Sequence, residues 1–220
     1  MDERSQAGTS LCALAHPFLE RQDRDGLAAA LSARWSPECL ALLLDHASEP
    51  VAHVAVVCLG LIGGMPQAGA VAKLLHRDSI TLAEAAEDAL WGIWFRAGGP
   101  DAQRALRRAV DLGDRQVPQR AVALLDGLIA RQPDFAEAHH QRGLAYSLLG
   151  WHEPALRDAR RAARLNPLHF AAWACQGNCH AERGEHTEAL ECYRAALRIH
   201  PRLHAVRQSI RELRNILHAS

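Results

Sequence analysis

Residues 136–167 read AEAHHQRGLAYSLLGWHEPALRDARRAARLNP, and residues 170–201 read FAAWACQGNCHAERGEHTEALECYRAALRIHP. Laid one above the other, the strings place Gly143 over Gly177, Gly150 over Gly184, Ala155 over Ala189, Leu156 over Leu190 and Ala162 over Ala196. The step is 34 residues, and Pro133, Pro167 and Pro201 mark it off. A fixed period of that length predicts an array of two-helix units, each burying its apolar face only against its neighbours. Small residues at 143 and 155 let two helices approach closely, and larger ones fill the gaps between pairs.

Working outward, Leu203, Val206, Ile210, Leu213 and Leu217 step by three and four residues between 202 and 218. That spacing makes one apolar stripe on one helix, with Arg207, Arg211, Glu212 and Arg214 around the rest. It is what the open end of a helical array needs to keep its last apolar face dry. On the other side, residues 102–133 keep the period with poorer matches, and Arg108 and Ala109 stand where the later units have an apolar or polar residue and then Gly. Gly98-Gly99-Pro100 breaks the helical pattern and predicts a domain boundary, with residues 1–99 and 100–220 on either side. Asp101 is then available to cap the next helix.

Before that boundary a second period of 31 residues appears, with Leu43-Leu44 recurring as Leu74-Leu75, Ser48 as Ser79, Ala55 as Ala86 and Leu59 as Leu90. Ser36-Pro37-Glu38 opens a helix with a cap, a proline at its first position and an early acid. That helix is expected to run to Ala47, the next from Glu49-Pro50 to Gly63-Gly64. Two shorter helices are expected over residues 11–22 and 26–35, the second capped by Asp25. Trp91, Trp94 and Phe95 fall at i, i+3 and i+4, the spacing of a buried stripe.

The formal net charge is zero, but residues 1–100 carry 7 Lys and Arg against 12 Asp and Glu, and residues 101–220 carry 18 against 13. That balance is far from the basic excess nucleic-acid binding demands. No apolar run reaches membrane-spanning length, and the first residues lack a signal-peptide core, so no membrane association is expected. Six cysteines at irregular places read as reduced thiols, which predicts a cytoplasmic protein.

Candidate chemistry is sparse. Cys175 and Cys179 share a helix face, and His180, His186 and Cys192 are near in sequence, but no paired CxxC motif exists. Cysteine packs as a small hydrophobe, and packing is the expected role. The glycines at 60, 63, 64 and 69 lack the Gly-Lys-Ser/Thr ending of a phosphate loop. Glu87 and Asp88 are adjacent, so on a helix they point apart. No catalytic residue, metal ligand or cofactor is expected. Arg157, Arg160, Arg161 and Arg164 line one helix face and offer an anion-binding surface as an alternative.

The matched positions of residues 136–201, with the weaker unit at 102–133, resemble the tetratricopeptide repeat family. Residues 36–97 look like HEAT repeats, although the Arg usual early in the second helix is Ala52 in one copy and Ala83 in the other. The resemblance implies an all-α, right-handed α-solenoid of antiparallel helix pairs: a HEAT-like N-terminal half, then a tetratricopeptide half with a capping helix over 202–218. It further implies a non-catalytic protein–protein interaction scaffold or adaptor, whose first helices line a groove for a peptide or partner helix. By position, that groove would present Glu137, His140, Leu144, Ser147 and Leu148, then Ala171, Ala174, Asn178, Ala181 and Glu182. One subfamily grips chaperone C-terminal carboxylates with Lys, Arg and Asn. The corresponding places here hold His140, Leu144, Cys175, Ala205 and Ser209, so no such binding is expected. HEAT-repeat lyases acting on bound tetrapyrroles supply a rival reading.

Overall fold

A computed structural model describes residues 3–219, which form α-helices and one 3-10 turn, with no strand among the described residues. The chain divides between Ala97 and Gly98 into two compact units.

The first unit holds α1 (Glu3–Glu20), α2 (Arg24–Ser32), α3 (Pro37–Leu42), α4 (Glu49–Ile62), α5 (Met65–Lys73), a 3-10 turn at Leu74–His76, and α6 (Ile80–Arg96). Its centre is the packing of α4 on α6. Gly60 makes this possible, because a Cβ there would lie 3.0 Å from the Ala89 Cα. Arg96 then reaches back across the pair and donates to the carbonyls of Gly60 at 2.6 Å and Gly63 at 2.9 Å. A helix end has four carbonyls without an intrahelical partner, and here an arginine from α6 takes two at the end of α4. Trp94 is buried, with Trp91 edge-on at 5.2 Å and half-buried like Phe95.

Three local expectations are corrected. The cap of α2 is Asp23, whose carboxylate accepts from Gly26 N at 2.8 Å, and Asp25 lies inside the first turn. The first helix begins at Glu3, well before residue 11. The third ends at Leu42 and does not reach Ala47. Leu43 and Leu44 are both buried, and on a continued helix these adjacent side chains would point about 100° apart.

The second unit holds α7 (Gly99–Asp114), α8 (Pro118–Arg131), α9 (Ala136–Leu148), α10 (His152–Leu165), α11 (Phe170–Glu182), α12 (His186–Ile199) and α13 (His204–Ala219). Gly98 occupies the cap of α7, and Gly99 has φ +83°, so Asp101 falls in the first turn and not at the cap. The helices pair as α7 with α8, α9 with α10, and α11 with α12, and successive pairs stack through α8 on α9 and α10 on α11. Gly150 and Gly184 turn two of these pairs in the left-handed region, at φ +71° and +73°. Gln116, one period earlier, holds φ +60° at the same point of the α7–α8 turn.

Within a pair the small residues act as expected. A Cβ on Gly143 would lie 3.2 Å from the Ala155 carbonyl oxygen, and one on Gly177 would enter the Tyr193 ring. On α13, Val206, Ile210 and Leu213 are buried against Ala189, Leu190 and Tyr193, while Leu217 remains exposed. No described helix is long and apolar enough to cross a membrane.

Candidate partner-binding groove

The first helices of successive pairs, α9 and α11, stand beside α13, and together they frame a recess of about 570 Å³. Ser147 comes from α9, Asn178, Ala181 and Glu182 from α11, and Ser209, Glu212, Leu213 and Ile216 from α13. Tyr193 reaches in from α12 and donates its hydroxyl to Asn178 Oδ1 at 2.7 Å. Ser147 and Ser209 spend their hydroxyls on the carbonyls of Gly143 and Ala205, one turn back on their own helices. The wall therefore combines the exposed aliphatic Ile216 with carboxylates from Glu182 and Glu212, and no Lys or Arg lines it.

Of the residues expected in the groove, Ser147, Asn178, Ala181 and Glu182 meet in this recess. Leu144 and Leu148 are exposed on α9, and Ala171 and Ala174 are half-buried. Glu137 and His140 are not groove residues. They are 1% and 2% exposed, because α9 is packed by α7 on one side and α11 on the other. There they meet His169, the cap residue of α11. Its Nε2 donates to Glu137 Oε2 at 3.0 Å, and its Nδ1 accepts from Ala172 N at 3.2 Å. Burial, with His169 alongside, pushes the His140 imidazole down to about 3.

A second buried cluster crosses from α9 to α10. Arg142 donates from Nε to Asp158 Oδ2 at 2.7 Å, from one Nη to Asp158 Oδ1 at 2.8 Å, and from the other to Asp126 at 2.7 Å. His139 adds a contact at 3.2 Å to Asp158 and one at 2.9 Å to the Pro133 carbonyl. Burial works to raise the Asp158 carboxyl, yet the hydrogen bonds from Arg142 and His139 hold it below its usual range. Nothing in the local sequence announced this network beyond a histidine where the repeat ordinarily carries a large aromatic.

Cys175 and Cys179 are buried against Ala155, Leu156 and Ala159, as packing requires. His180 turns away to Glu185 at 2.5 Å and to Arg160 at 3.3 Å. The arginine face is largely engaged, since Arg157 pairs with Glu153 and Arg161 with Asp134.

Two tetratricopeptide repeat models match the chain, at residues 136–167 and 170–203. Residues 136–203 are tetratricopeptide repeats. The tetratricopeptide domain of Sgt2 from Aspergillus fumigatus has the same fold, with TM-score 0.52 at 20% identity over 54% of this chain and 80% of that one. So does the first tetratricopeptide domain of Spaghetti (RPAP3) bound to an HSP90 peptide, SRMEEVD, with TM-score 0.51 at 19% identity over 53% and 91%. In sequence the chain is 32% identical over 99 residues to the Bos taurus "Protein SGT1 homolog", a match covering 44% of this chain and 29% of that protein. Within these repeats, Ser147, Asn178 and Glu182 line the recess, and Leu144 is exposed on α9.

Proposed function

We propose that the second unit is a non-catalytic docking module of a cytoplasmic adaptor, holding a peptide or partner helix along α9, α11 and α13. The observation that carries this reading is the recess in which Ser147, Asn178 and Glu182 converge with Glu212, Leu213 and Ile216. Its wall mixes aliphatic Leu213 and Ile216 with the carboxylates of Glu182 and Glu212, which suits an amphipathic segment with apolar anchors and a basic or neutral edge. The first unit, with its pairs α3–α4 and α5–α6, we read as two HEAT-like repeats joined to the tetratricopeptide half through α7 and α8.

The RPAP3 relative was captured with an acidic HSP90 peptide. In this chain the cations such a tail needs are missing from the groove: His140 is buried, Leu144 and Ala205 carry no charge, and Glu182 and Glu212 would repel carboxylates. Titration with SRMEEVD is expected to give no saturable binding, and saturation in the micromolar range would replace our reading with a chaperone-tail adaptor.

The groove itself is tested by affinity capture from native lysate, comparing the wild-type chain with Leu148→Glu/Glu182→Arg. Both positions are exposed, whereas Asn178 holds the Tyr193 hydroxyl and would report on packing. A partner held by the wild type and lost by the variant supports the groove. A partner held equally by both moves the site elsewhere, for instance to the recess of about 630 Å³ in the first unit that includes Phe18, Arg24 and His53.

A further inference from the structure

Glu137, His140 and His169 bring one carboxylate and two imidazoles together, with a ligating atom from each lying within 4.8 Å of the others. All three are buried, at 1%, 2% and 0% exposure, between the first turn of α9 and the cap of α11. The rings of His140 and His169 are 4.5 Å apart. An interior carboxylate is costly unless something compensates its charge.

The same unit contains a control. Asp158, also interior, receives two hydrogen bonds from the Arg142 guanidinium. Glu137 has no such cation. Among the described residues its ion-pair partner is His169, and Gln141 adds a neutral amide donor at 2.7 Å. His169 accepts the Ala172 amide on Nδ1 and donates from Nε2 to Glu137. The Glu137 carboxylate thus faces two imidazoles in a buried site.

We propose that Glu137, His140 and His169 form a binding site for a divalent transition-metal ion, with zinc the best fit. Two imidazoles and a carboxylate are a borderline-soft donor set, and three protein ligands leave a fourth position for water. The separation of 3.0 Å between His169 Nε2 and Glu137 Oε2 is close to that of two ligand atoms on one tetrahedral ion. Coordination places the ion where the Nε2 proton now bridges the pair. That proton passes to Nδ1, which releases the Ala172 amide, and the amide keeps its bond to the His169 carbonyl oxygen at 3.0 Å. An ion here would fasten the starts of α9 and α11, and so the spacing of the two repeats that carry the groove. It would do so whether or not the groove holds a peptide.

The test uses the full chain, stripped of metal, with cobalt(II) as a coloured stand-in for zinc. One equivalent of cobalt is expected to develop the strong visible absorption of a four-coordinate ion, and zinc should abolish it. Glu137→Gln and His169→Asn are expected to weaken binding by more than ~10-fold. A wild-type chain showing only the weak spectrum of the hydrated ion would overturn the proposal, and would leave the cluster a hydrogen-bonded His–Glu pair. So would a band that survives undiminished in Glu137→Gln. X-ray absorption of the wild-type chain with one equivalent of zinc needs no variant to fold. Two imidazoles and no sulfur are expected, whereas a sulfur ligand would shift the ion to Cys175 and Cys179.

Discussion

Gly177 carries no side chain at the one point of α11 where a methyl group would enter the Tyr193 ring. Gly177→Ala is therefore expected to cost about 1–3 kcal/mol, measured by urea unfolding, with helical content retained. Gln116 is the converse case, an L-residue holding the left-handed turn that Gly150 and Gly184 hold one and two periods later. Gln116→Gly relieves that conformation, and a gain of up to about 1 kcal/mol in the same assay is the expected outcome. Asp158 holds the Arg142 guanidinium through both its oxygens, and replacing it by Asn leaves that cation only the exposed Asp126 as its charged partner. A loss of about 3 kcal/mol is expected, and a loss under ~0.5 kcal/mol would show that solvent reaches this pair. The glycines were legible in the sequence because their spacing repeats. The Asp158 cluster was not, because Asp126, His139, Arg142 and Asp158 gather from three helices with no local pattern to join them.

At the scale of elements, α4 and α13 make separate tests. Burial pushes the Cys58 thiol on α4 up to about 12, from an ordinary value of 9.0. A raised acidic group contributes fully below its unfolded value, and the contribution is lost as pH rises toward the folded one. Between about pH 9 and 12 the chain should lose stability that Cys58→Ala retains, by at most ~1.4 kcal/mol per pH unit. Equal slopes for both proteins would remove the thiol as the cause. On α13 the stripe of Val206, Ile210 and Leu213 covers the last pair. Ile210→Asp should lower the melting temperature of the second unit by several degrees, because a charge there lies against Leu190 and Tyr193. The helix limits follow the same division. The cap at Ser36 is signalled by Pro37 and Glu38 after it, and its side chain accepts from Cys39 N; Ser79 caps α6 in the same way, accepting from Leu82 N. Asp23 and not Asp25 caps α2, because its carboxylate is the one that accepts from Gly26 N.

At the scale of the molecule, the division between Ala97 and Gly98 gives each unit its own core. Residues 98–220 expressed alone are expected to fold, with a cooperative melt and a helical circular-dichroism spectrum; a chain that stays unfolded would make the two units one folding entity. Periodicity in the sequence was sufficient for the all-helical repeat fold, for the two tetratricopeptide units and for the apolar face of α13. The reason is that local spacing alone dictates which face of each helix is apolar, and like units can bury such faces only by stacking. Tertiary structure alone settled depth. Glu137 and His140 occupy positions that the repeat ordinarily turns to its groove, yet α7, α9 and α11 close over them, and His169 joins them from 29 residues beyond His140. Burial is a property of all the neighbours at once, so no spacing within α9 could have announced it.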